Sequence, residues 1–118
     1  MKISPEYDKL WQKVVCFKAY NRCQLEHDGC TSMAYNGAHH IIPRKYLNYR
    51  YDMINGFAVC PSCHQWIEEH PKEFKQILQD QYPAVYNYLY NKRIIEVNKE
   101  MIDERIEELE VYQRQHCI

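Results

Sequence analysis

The chain has 118 residues, 46% of them hydrophobic and 26% charged, which fits one packed domain and excludes wholesale disorder. Its formal net charge of −1 lacks the plain positive excess of most nucleic-acid binders. No apolar run is long enough to span a membrane, and the charged start MKISPEYDKLWQKV has no apolar export segment, so a cytoplasmic protein is expected.

Residues 1–22 read as a helix, with Leu10, Trp11, Val14, Val15 and Phe17 at helical spacing and Lys9, Lys13 and Lys18 opposite. Residues 23–31 form a cysteine-bounded turn containing Asp28-Gly29. Residues 32–41 look extended, with Asn36-Gly37 as a turn between two short strands. An irregular, aromatic and basic stretch fills 42–55, and Phe57–Cys60 makes a short strand. A helix starts near Pro61 or Ser62 and stops before Pro71. The remainder is helical. Phe74, Ile77 and Leu78 form one stripe, Pro83 opens the next segment, and Ile95, Ile102, Ile106, Leu109 and Tyr112 line the last helix. That last stripe packs on its own domain or forms the seam of a homodimer.

Six Cys and six His are unusual for so short a chain. Without an export signal, clustered cysteines point to metal rather than to disulfides. Cys60 and Cys63 form C-x2-C, and Cys23 and Cys30 form the looser C-x6-C. Two such knuckles supply four thiolates, a closed tetrahedral site for a structural zinc that would contribute directly to folding. His27 is an alternative ligand in place of one knuckle cysteine, and four reduced core thiols are the plainest alternative to any metal. Cys16 and Cys117 have no partner at ligand spacing and read as a small apolar residue and a chain-end thiol.

His39 and His40 are adjacent on an extended segment and so point to opposite faces. One can bind an ion while the other acts as a base. His64 begins the helix after the second knuckle, with Glu68 four residues on and on the same face. His39 and His64, with Glu68 as a candidate third ligand or a plain surface acid, suit a divalent ion with positions left open. His40 titrates near neutrality and can take a proton from water. Arg44 and Arg50 are candidate phosphate contacts, or solvated loop charges. Tyr46, Tyr49 and Tyr51 either stack on bases or pack the loop, and Trp66 and Ile67 read as core.

The order His39-His40-Ile41-Ile42-Pro43-Arg44, then Asn55-Gly56, then Cys60-Pro61-Ser62-Cys63-His64, resembles the HNH endonuclease family of the zinc-knuckle type. The resemblance covers roughly residues 23–68, and the helical remainder is similar to small HNH proteins of phages and prophages. It implies an α+β fold: a small ββα-metal (His-Me finger) core over 23–70, flanked by an N-terminal helix and a helical extension over 71–118, all one domain. It implies that His40 is the general base, that Asn55 braces the loop and orients the base, and that His39 and His64 hold the catalytic ion. Cys23, Cys30, Cys60 and Cys63 match the structural zinc ligands, although the first knuckle of the family is usually C-x2-C. The implied reaction is metal-dependent hydrolysis of DNA, by nicking or double-strand cleavage. The catalytic ion is often Mg2+ or Mn2+, and two imidazoles would also suit Ni2+, Co2+ or Zn2+.

The near-neutral charge hides a split. Residues 1–56 carry 8 Lys or Arg against 5 Asp or Glu, and residues 57–118 carry 7 against 11. A basic face from the first helix and the 42–51 loop would meet DNA, with the acidic tail turned away. A non-catalytic zinc-stabilised adaptor for nucleic acid or protein is the alternative, and a redox or metal sensor is a third. The intact set His39, His40, Asn55 and His64 favours the nuclease.

Overall fold

The structure, a computed structural model, describes residues 3–27, 29–91 and 93–118. Asp28, placed by the sequence in the cysteine-bounded turn, lies outside the described residues, as do Met1 and Lys2 of the expected first helix.

Helix α1 spans Pro5–Lys18, shorter than the expected 1–22. The Ser4 hydroxyl caps it by accepting from the Tyr7 N–H, and Pro5 occupies a first-turn position where no N–H is needed. Tyr20 and Asn21 end it in the left-handed region, at φ 55° and 56°. The chain then makes an isolated bridge between Arg22 and Met33 and enters strand β1, Ala38–His40.

Asn36-Gly37 is not the turn of a local hairpin. β1 pairs antiparallel with the distant strand β2, Gly56–Ala58, in the register Ala38–Ala58, His39–Phe57 and His40–Gly56. Gly37 is required for another reason. A Cβ there would meet the carbonyl oxygens of Val59 at 2.7 Å and Ala34 at 2.9 Å, because the backbone passes so close. Between the strands lie the short helix α2, Leu47–Arg50, and a 3-10 turn at Met53–Asn55.

Helix α3, Pro61–Glu69, follows β2 after two residues; its N-cap is Cys60, whose sulfur accepts from the Cys63 N–H. Helices α4, Pro71–Gln81, and α5, Pro83–Tyr90, each open on proline. Helix α6, Lys99–His116, is capped by the Asn98 side chain accepting from the Met101 N–H. Ile95, expected on its apolar face, precedes the helix and is exposed. Among the described residues, six α-helices and one two-stranded sheet make an α+β fold, and no helix is long and apolar enough to cross a membrane.

The sheet separates two cores. On one side Ile41, Ile42, Tyr49, Phe57, Phe74 and Leu78 pack with the knuckle cysteines. On the other, Trp11, Val14, Val15, Ala38 and Ala58 pack with Ile102, Ile106 and Leu109. Those three α6 residues are only 0–1% exposed, and α6 lies against α1 and α2. These three pack within the chain, while Tyr112 of the same stripe is half-buried.

Candidate functional site

The sulfurs of Cys23, Cys30, Cys60 and Cys63 converge, all within 4.8 Å of one another. Two loops deliver them. The backbone of 23–32 is folded back by Cys30 N–H donating to the His27 carbonyl and Cys23 N–H donating to the Ser32 carbonyl. The second pair sits at the N-terminus of α3, one turn apart. A zinc ion about 2.3 Å from each of four sulfurs sets them about 3.8 Å apart in a tetrahedron. Cys30 and Cys60 lie 3.9 Å apart, so the cluster fits such an ion. Backbone N–H groups already point at the sulfurs: Ser32 at Cys30, 3.2 Å, and Cys63 at Cys60, 3.4 Å. Burial alone would raise the Cys60 thiol, but hydrogen bonds from Thr31 and Cys63 overcome it and bring it down to about 6. Burial pushes the Cys30 and Cys63 thiols up. His27, the alternative ligand, is not part of the cluster; its ring stacks on Trp66 with centroids 4.3 Å apart.

The histidines divide between the two faces of the sheet. His39 follows Phe57 into the first core. Its ring stands edge-on to that of His64, centroids 5.3 Å apart, and to Phe74 at 5.4 Å. Burial, then the neighbouring His64 and His40, lower the His39 imidazole to about 4, which keeps it neutral and available as a ligand at pH 7. His64 is half-buried, and its Nε2 lies 3.5 Å from the exposed Glu68 carboxylate. Among the described residues the four thiols are the one set of three or more ligand-type side chains drawn together this closely; Glu68 reaches His64 but does not close such a set with His39.

His40 faces the second core. Its ring lies flat on the Trp11 indole, centroids 3.7 Å apart and planes 8° from parallel. Its Nε2 is 3.0 Å from the Arg50 carbonyl oxygen. A carbonyl only accepts, so in the neutral ring Nε2 carries the hydrogen and Nδ1 keeps the lone pair. Burial lowers the His40 imidazole against the opposing pull of that carbonyl, which also leaves it neutral at pH 7.

Asn55 is fully buried and makes three hydrogen bonds across the loop that follows His40. Its Oδ1 accepts from the Ile42 N–H at 2.7 Å, and its Nδ2 donates to the carbonyls of Ile42, 2.9 Å, and Tyr49, 3.0 Å. This pins residues 41–49, and so the Arg50 carbonyl that meets His40. The Arg50 side chain, a candidate phosphate contact, is held by Asp8 in a bidentate pair at 2.8 and 2.9 Å, while Arg44 is exposed. Tyr49 and Tyr51, candidate base-stacking residues, are buried at 3% and 1% exposure; Tyr46 is half-buried. Ile67 is core, and Trp66 is half-buried between His27 and His70.

Three contributors escaped the sequence reading. Trp11 was legible as core but carried no sign that it would lie on His40. The Asp8–Arg50 pair joins residues 42 positions apart. Asp52 is buried, accepts from the Ile54 N–H and the Tyr88 hydroxyl, and offers its carbonyl to the Trp11 Nε1–H at 2.8 Å. The cues lay in the residue types, since a lone acid and a Tyr in apolar surroundings need partners, but nothing in the sequence says which. No protein-family model, curated protein or solved structure matches the chain.

Proposed function

We propose that this chain is a metal-dependent DNA endonuclease of the HNH type. The reading is carried by one juxtaposition: the His39 and His64 rings 5.3 Å apart, on β1 and α3, with His40 next to His39 held by the Arg50 carbonyl. The succession β1, β2, α3 supports it, being the ββα order of that family's core. So does the four-sulfur cluster at the root of α3, where a structural zinc would fix the start of the helix that carries His64.

In this mechanism His39 and His64 would hold a divalent ion through their imidazole nitrogens. When bound, that ion supplies Lewis-acid stabilisation of the charge that develops on the leaving 3′ oxygen. His40 accepts a proton from water at Nδ1 while Nε2–H stays bonded to the Arg50 carbonyl. The water oxygen bonds to phosphorus, the bond from phosphorus to the 3′ oxygen breaks, and that oxygen takes up a proton from solvent. Trp11 and Asn55 keep the base and its carbonyl anchor in place.

The test is supercoiled-plasmid nicking with Mg2+, Mn2+, Ni2+ or Zn2+. The wild-type chain should nick, and His40→Ala should slow nicking about 100-fold or more while keeping its helical circular dichroism and zinc content. Equal cutting by both proteins, or none by either under any of these ions, overturns the reading. DNA binding without cutting would leave the zinc-stabilised adaptor.

A further inference from the structure

The chain is nearly neutral, so any cationic contact with DNA has to be local. Lys9 and Lys13 on α1 are exposed, but the groove beside them is lined also by Glu6 and Glu110. The expected basic face on α1 is therefore partly cancelled by acid.

A second group of cations is arranged differently. Lys45 Nζ lies 5.3 Å from the centre of the Tyr46 ring, and the Arg93 guanidinium carbon lies 4.8 Å from the same ring. Lys75 Nζ lies 4.7 Å from the centre of the Tyr90 ring. Arg93 stands three residues after Tyr90 in the chain and its guanidinium lies over Tyr46, which brings the two groups side by side. Tyr46 and Tyr90 both pack against the core that contains Phe74, the ring in contact with His39. This surface is built by the 43–46 loop, α4, the end of α5 and the residues just after it.

We infer that Lys45, Lys75 and Arg93, held over Tyr46 and Tyr90, form a docking surface for the phosphate backbone of duplex DNA; this rests on the reading of the chain as an enzyme of DNA. A cation over a ring is pre-positioned, so it loses less side-chain freedom on binding. The covered ring faces cannot stack on bases, and Tyr49 and Tyr51 are buried. Contacts of this kind position a duplex and carry no sequence information. Three phosphate contacts give a slope of log K against log salt of about −2.7, a loss on the order of fortyfold between 50 and 200 mM salt.

The experiment is fluorescence anisotropy of the full chain with a labelled DNA duplex across that salt range. Lys75→Gln with Arg93→Gln should weaken binding and flatten the slope by about 2, with helical circular dichroism unchanged. Lys9→Gln with Lys13→Gln on α1 should leave the slope as it was. Two duplexes of different sequence should bind within about threefold of each other, and a single strand should bind with a shallower slope. A Lys75/Arg93 variant with wild-type affinity and slope, a slope carried by Lys9 and Lys13, or strong sequence preference overturns the surface. So does a wild-type chain that binds no duplex at 50 mM salt. Binding with the expected slope but no nicking would sink the endonuclease and keep the surface; nicking with an unaffected double variant would do the reverse.

Discussion

Asn55 shows how far one residue reaches. Its amide satisfies one N–H and two carbonyls of the loop between His40 and Arg50 with no exposure to water. Asn55→Ala strands all three in a dry site, at a cost of about 2–4 kcal/mol. Urea unfolding of the variant should show that loss, and a change below about 1 kcal/mol would contradict the bracing role. The same loop carries the carbonyl that sets the His40 tautomer, so the pH profile of nicking is a second check. Burial holds His40 below its usual range, and a base works when deprotonated. Activity should rise with pH along a limb centred below about 6.5 and be flat by neutrality; a limb centred above 7 would rule His40 out as the base. The sequence made Asn55 visible, because it stands before a glycine in a spaced pattern. It did not reveal the Arg50 carbonyl, since a backbone group has no letter, nor that Asp8 would occupy the Arg50 guanidinium.

Among the elements, α1 and β2 meet closely at Gly56. A Cβ on Gly56 would come within 2.3 Å of Val15 Cγ2 and 3.0 Å of the Trp11 ring. Gly56 is therefore a packing glycine, although Asn55-Gly56 also reads as a turn signal. Gly56→Ala should cost about 1–3 kcal/mol by overpacking and should tilt Trp11, the platform under His40. Thermal unfolding measures the first effect and the nicking rate the second; an alanine variant as stable and active as the wild type would show that α1 shifts freely. The long helices were legible because prolines mark their bounds, Pro61 and Pro83 as openings and Pro71 as a stop; Pro5, which opens α1, was read through, and α2 lies in a stretch read as irregular. The sheet was not. β1 pairs with β2 across the whole 41–55 loop, and no local signal decides between that partner and a nearby hairpin. Ile95 failed for a related reason: it fits the helical period, but Asn98 caps α6 after it.

For the molecule as a whole, the four-sulfur cluster joins the 23–32 loop to the start of α3 and hence to His64, beside the stacking of His27 on Trp66. Both pairs of ligands hang on the one ion, so removing the metal should loosen that loop and the start of α3 together. Cys60→Ser should unfold the chain or leave it unable to retain zinc, and a folded, zinc-loaded Cys60→Ser protein would remove the site. Protons give a sharper measurement. Zinc binds thiolates, so each thiol protonated beforehand must release its proton. Cys30 and Cys63 are raised above the usual thiol range, so both are protonated in the metal-free chain at pH 7, whereas Cys60, at about 6, is already mostly thiolate. Loading zinc at pH 7 should therefore expel one proton from each of Cys30 and Cys63 and little from Cys60. Below about pH 6 Cys60 joins them, more protons are released per zinc, and affinity falls more steeply with acidity. Calorimetric titration in buffers of different ionisation enthalpy counts those protons. Release of fewer than about one proton at pH 7 would mean that the thiols do not ligate the metal as a set, and the zinc knuckle would have to be abandoned along with the order it gives α3.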